Sequence, residues 1–227
     1  MIKAIIFDLD NTLTDFMKFK KAAIDAAVDA MIDAGLDISR EQLLKKIEEV
    51  YDSEGIEDQQ VFNKVLKKIS GRVEDRVLAA GVVGYRKAKE GSMKLYPHVN
   101  LTLTNLVKNG IKMVIVSDAP RLPAWMRICS LGLQDYFDHV ITFDDAGEKK
   151  PSSKPFKMAL DTLGVNAGEV LMVGDLKDRD IEGAKKLGIK TAFARYGDSK
   201  NTEEAGADYE LKDISELLDI VKSENSK

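Results

Sequence analysis

Two acids separated by one residue, Asp8 and Asp10, follow directly on the apolar run Ala4-Ile5-Ile6-Phe7. Ser117 and Asp118 follow the apolar run that ends at Val116, and Gly174-Asp175 follows the run 170–173, with Asp178 and Asp180 just beyond. Carboxylates gathered in one place repel one another unless a cation neutralises them, so the pattern predicts a hard divalent ion held by oxygen. Its nitrogen and sulfur ligands are limited to His98, His139 and Cys129, which argues against zinc and for magnesium. A carboxylate beside such an ion suits covalent phosphoryl transfer. That chemistry also needs charge and hydrogen-bond donors for the non-reacting phosphate oxygens, and Lys150 and the Ser117 hydroxyl can supply them.

These residues need a scaffold that brings strand ends together. Apolar runs of strand type are predicted at 3–7, 112–116, 140–142, 170–173 and 191–194. Between and after them, helices are predicted at 99–109, 124–131, 155–163, 181–187 and 214–221, several with a glycine stop. Strands alternating with helices through short connections imply a parallel sheet covered on both faces. In such a sheet ligands bind beyond the carboxyl ends of the strands, where the acids stand. The stretch after the first strand reads differently. Apolar residues recur at helical spacing over 18–34; Ser39 with Gln42 reads as the capping signature of a second helix, and 61–69 and 73–88 read as two more. Gly81 and Gly84 weaken the last of these, at about 1 kcal/mol each.

The chain has 227 residues, 44% hydrophobic and 32% charged, with 34 basic against 38 acidic side chains and a net charge of −4. That is enough to bury a sizeable core plus a smaller insert, and it leaves no basic stripe for nucleic acid. One cysteine excludes an intramolecular disulfide, and the amino-terminal apolar run is too short for a signal or a membrane span, so a cytoplasmic protein without nucleic-acid or membrane partners is expected.

Asp8-Leu9-Asp10-Asn11-Thr12 resembles the first motif of the haloacid dehalogenase-like hydrolase superfamily. Val114-Ile115-Val116-Ser117 resembles its second, Gly147-Glu148-Lys149-Lys150-Pro151 its third, and Val173-Gly174-Asp175 with Asp180 its fourth, in the same order. The resemblance implies a Rossmann-like α/β core over 1–14 and 95–227, with a helical cap at 15–94 inserted after the first strand. It implies a phosphatase acting on a small phosphorylated metabolite with Mg2+. Asp8 would be the nucleophile that forms an aspartyl-phosphate, and Asp10 the general acid and base. Ser117 and Lys150 would bind phosphate. Asp8, Asp175 and the Asp10 carbonyl would hold the metal, and Thr12 and Asp180 would support them. Arg179 stands where the family often has asparagine and Ser153 where it often has proline; neither change removes a catalytic group. Whether Asp178 or Asp180 backs the metal is open from sequence.

Other functions on this fold are a 2-haloacid dehalogenase, which Asp10 argues against, a sugar-phosphate mutase, and a non-catalytic sensor of phosphorylated metabolites. Among the remaining residues, Lys149 is expected at the surface. Trp125 and Met126 are expected to pack on the sheet, and Cys129 to be a small buried apolar residue.

Overall fold

The computed structural model describes residues 1–226, and its chain forms two compact units, Met1–Asp15 with Lys94–Lys227, and Phe16–Met93. In chain order β1 (Ala4–Phe7) is followed by four helices, α1 (Phe16–Asp33), α2 (Arg40–Glu54), α3 (Val61–Ser70) and α4 (Asp75–Ser92). Then come α5 (Val99–Lys108), β2 (Lys112–Val116), α6 (Arg121–Ser130), β3 (His139–Ile141), α7 (Phe143–Ala146) and α8 (Ser153–Leu163). The chain closes with β4 (Val170–Gly174), a π-helical turn at Lys177–Ile181, α9 (Glu182–Lys185), β5 (Lys190–Ala194), β6 (Tyr209–Leu211) and α10 (Glu216–Asn225). No helix among the described residues is long and apolar enough to cross a membrane.

The larger unit is a six-stranded sheet in the order β3-β2-β1-β4-β5-β6, with every neighbouring pair parallel. All four residues of β1 and all five of β4 are buried, as both faces of a parallel sheet are covered by helices. One face packs Ile5, Phe7, Met113 and Ile115 against Leu103, Leu106 and Ile128; the other packs Ile6, Val114 and Met172 against Phe156 and Ala159. Phe7 is level with both Ile115 and Val173, so the residues that follow these three strands emerge at one edge of the sheet. The chain order reverses at β1, which places that edge at the switch point where such sheets bind ligands.

The helical unit has its own core, including Val28, Met31, Leu43, Ile47, Val65 and Val77. Ser39 caps α2 by accepting a hydrogen bond from the Gln42 amide at 3.2 Å. Gly81 and Gly84 do not break α4, because they are where α1 comes close. A Cβ at Gly81 would stand 2.7 Å from Met31 Cγ, and one at Gly84 2.7 Å from the Ala26 carbonyl oxygen.

Candidate active site

The turn after β1 carries Asp8 and Asp10. The Asp8 amide donates to the Val173 carbonyl at 2.9 Å, which ties the end of β1 to β4. Asn11 has φ 57°, a left-handed conformation that asparagine tolerates better than most residues, and its amide donates to the Thr14 carbonyl at 2.7 Å. Thr12 is fully buried, but its hydroxyl has no hydrogen-bond partner; its carbonyl accepts from the Tyr196 hydroxyl at 2.8 Å. The turn is held by backbone bonds and by Tyr196. The loop after β5 presses in further at Gly197, where a Cβ would fall 1.6 Å from the Asn11 carbonyl oxygen.

Lys150 is the centre of the arrangement. It is buried, and its ammonium lies 2.5 Å from Asp8 Oδ1, 2.7 Å from Asp180 Oδ1 and 3.0 Å from the Val116 carbonyl. Asp8 Oδ1 and the Val116 carbonyl accept two of its three N–H groups and Asp180 forms an ion pair with it, which leaves one N–H for a further acceptor. Its backbone amide donates to Asp118 Oδ1 at 2.8 Å, while Asp118 Oδ2 pairs with Arg179 at 3.2 Å, so Asp118 braces the loop that delivers Lys150. Burial pushes the Lys150 pKa down, but the charges of Asp180, Asp8 and Asp118 outweigh it and raise the pKa above that of a free lysine. Lys150 is therefore a permanent cation.

Carboxylate oxygens of Asp8, Asp175 and Asp180 lie within 4.8 Å of one another, and all three residues are buried. Asp180 is committed to the protein: Oδ2 accepts the Leu176 amide at 3.0 Å and Oδ1 faces Lys150. Neither oxygen of Asp175 has a full hydrogen bond. Burial, followed by the charge of Asp180, raises the Asp175 pKa to about 7, while Lys150 and the Asn11 amide pull it down by less. Burial also raises Asp8 well above the ordinary carboxylate range; Lys150 opposes this, and Asp180, Asp175 and Asp10 add to it. Buried, mutually repelling carboxylates with unsatisfied oxygens are what a divalent cation relieves, so this donor set fits a hard metal ion. Asp178 is exposed, leaving Asp180 as the acid that backs the cluster.

Ser117 is buried at the end of β2, where its hydroxyl oxygen accepts the Ala119 amide at 3.2 Å; the hydroxyl proton stays available to donate. Lys149 is exposed as expected. Trp125, Met126 and Cys129 are also exposed, contrary to the sequence reading. The face of α6 that turns inward carries Ala124, Arg127 and Ile128, and Arg127 stands 3.1 Å from Asp10 Oδ2. Sequence reasoning passed over Arg127. The available signal was its position, three residues after Ala124 and next to Ile128, on the stripe that competes with Leu122, Trp125, Met126 and Cys129.

A family model described as haloacid dehalogenase-like hydrolase matches residues 5–194. The glyceraldehyde 3-phosphate phosphatase of Methanocaldococcus jannaschii is 34% identical over 224 residues, covering 98% of each chain. A haloacid dehalogenase-type phosphatase of Thermococcus onnurineus superposes with a TM-score of 0.72 at 29% identity, over 97% of this chain and 98% of that one. A β-phosphoglucomutase-like protein of Thermotoga maritima has a TM-score of 0.77 over 98% and 99% of the two chains, and at 23% identity it speaks to the fold alone. With the motif residues assembled on one edge of a parallel sheet and matches that span nearly the whole chain, the protein belongs to the haloacid dehalogenase-like hydrolase family and is a phosphohydrolase within it.

Proposed function

We propose that the protein hydrolyses a small phosphomonoester through an aspartyl-phosphate on Asp8, with Mg2+ as cofactor. The observation that carries this is the contact of Lys150 with Asp8 beside the buried Asp175 carboxylate. Lys150 fixes one Asp8 oxygen and holds the carboxylate at the sheet edge. Asp8 attacks phosphorus in line, forming an O–P bond as the bond to the leaving oxygen breaks, and Asp10 gives that oxygen a proton. Water then attacks the aspartyl-phosphate, Asp10 takes its proton back, and Asp8 is released with inorganic phosphate. Ser117 and Lys150 donate to the non-reacting phosphate oxygens. Asp8, Asp175 and the Asp10 carbonyl would hold the metal, which when bound neutralises charge on the phosphate and on the carboxylates. Asp180 keeps Lys150 oriented.

Residues Phe16–Met93 act in this reading as the cap that selects substrate, which is supported by their separate core and their position in the chain. The protein is taken to work in the cytoplasm. The similarity to the Methanocaldococcus jannaschii enzyme makes a three-carbon aldehyde phosphate the first substrate to try. Phosphate release from glyceraldehyde 3-phosphate and a panel of phosphorylated metabolites, ranked by kcat/KM with and without Mg2+, tests the reading. Asp8→Asn is expected to abolish turnover; an Asp8→Asn variant as active as the parent would overturn it.

A further inference from the structure

Arg127 is among the largest fully buried side chains of the protein, at 1% exposure. Arginine stays charged at any physiological pH, and a guanidinium out of water is costly unless an anion meets it. The anion here is Asp10, whose Oδ2 lies 3.1 Å from Arg127 Nη2 while its side chain keeps 22% of its surface exposed. One oxygen of the Asp10 carboxylate is thus met by a cation from the protein side, while Oδ1 is buried. Arg127 takes no part in the bond-making or proton-transfer steps of the hydrolysis.

Asp10 needs such an anchor. It stands close enough to Asp8 for its charge to add to the repulsion felt there. An aspartate with two side-chain torsions, repelled by Asp8, would turn away from it unless something held it. A cation on the other side supplies that restraint, and α6 presents it because α6 starts directly after the β2 loop that carries Ser117 and Asp118. Proton transfer to a leaving oxygen demands a fixed geometry, and a displacement of about 1 Å can cost about 100-fold in rate.

We propose that Arg127 is a positioning residue for Asp10, holding its carboxylate in the rotamer from which it exchanges a proton with the reacting oxygen. This rests on the reading of Asp10 as general acid and base.

The test is a double-mutant cycle on phosphate release under Mg2+, with glyceraldehyde 3-phosphate and an aryl phosphate as substrates. Arg127→Gln is expected to lower kcat about 10- to 100-fold with KM changed less than about threefold, and Arg127→Lys to recover most of the loss. In an Asp10→Asn background, Arg127→Gln should cost less than about twofold further, because the group it acts through is already gone. An equal fold-loss in both backgrounds, a loss confined to KM, or unchanged kinetics would each overturn the proposal. Melting curves report on folding. If Arg127→Gln does not fold, Arg127→Lys is carried through the same cycle, and a loss that persists undiminished in Asp10→Asn counts against the proposal. A wild-type protein that releases no phosphate, or an Asp10→Asn variant equal to the parent, sinks the hydrolysis reading itself. A large Asp10→Asn loss with an independent Arg127 effect sinks only the role of Arg127.

Discussion

Gly174 and Asp180 touch so closely that a Cβ on Gly174 would lie 2.4 Å from the Asp180 carboxylate carbon. The π-helical turn at Lys177–Ile181 folds Asp180 back over the end of β4, and only a residue without a side chain leaves room for it there. Gly174→Ala must therefore push Asp180 off Lys150. Overpacking of this kind costs about 1–3 kcal/mol, or roughly 2–12 °C in Tm for a chain of this size. A drop in kcat of about tenfold or more is expected alongside, from steady-state phosphate release. Unchanged kcat and Tm would show that Asp180 does not need its place.

Lys150 neutralises two buried acids at once. Lys150→Met removes the cation and leaves Asp8 and Asp180 facing each other, and breaking a buried pair typically costs about 3–5 kcal/mol. Turnover is expected to fall by about 100-fold or more, since the phosphate loses a fixed positive charge as well. Thermal melts and kcat measured on one preparation separate the two effects.

The acids also set a pH dependence in the metal-free protein. Asp175 has a folded pKa of about 7, and Asp8 is shifted in the same direction. An unfolded aspartate has a pKa of about 3.9, so between these values the folded state holds protons that the unfolded state has released, and stability falls as pH rises. For Asp175 the penalty is absent below about pH 4 and complete above about pH 7. The metal-free Tm is expected to decline from pH 5 to pH 8, less steeply in Asp175→Asn, and Mg2+ should raise Tm more at pH 8 than at pH 5.5. Identical slopes in the parent and in Asp175→Asn would contradict this.

Gly197 meets the backbone of Asn11, which cannot move aside as a side chain could. Gly197→Ala should disturb the turn that carries Asp10, lowering Tm by several degrees and kcat by about tenfold. Gly168→Ala, with open space around it, is the control and should change neither.

The sheet was legible because each central strand is a continuous apolar run with its polar residue at the carboxyl end, and the β1, β2 and β4 registers bring those ends level. What the sequence did not reveal is instructive. β6 is Tyr209–Leu211 at the sheet edge, with a glutamate at its centre that leaves no apolar run to mark it. Asp178 and Asp180 look alike in sequence; only the π-helical turn buries one and exposes the other. On α6, Leu122, Trp125, Met126 and Cys129 form a complete apolar stripe, yet the inward stripe is Ala124, Arg127 and Ile128. Apolar periodicity could not find that face because its middle member is an arginine, which pairs with an acid more than a hundred positions earlier in the chain.

The claim on which the rest depends is that Asp8 becomes phosphorylated. Mixing enzyme, Mg2+ and substrate, quenching within a turnover and reducing with borohydride converts an aspartyl-phosphate to homoserine, which peptide mass spectrometry can locate. The account predicts homoserine at position 8 only, dependent on substrate. Steady phosphate release with Asp8 unmodified, or a label at any other residue, would contradict it.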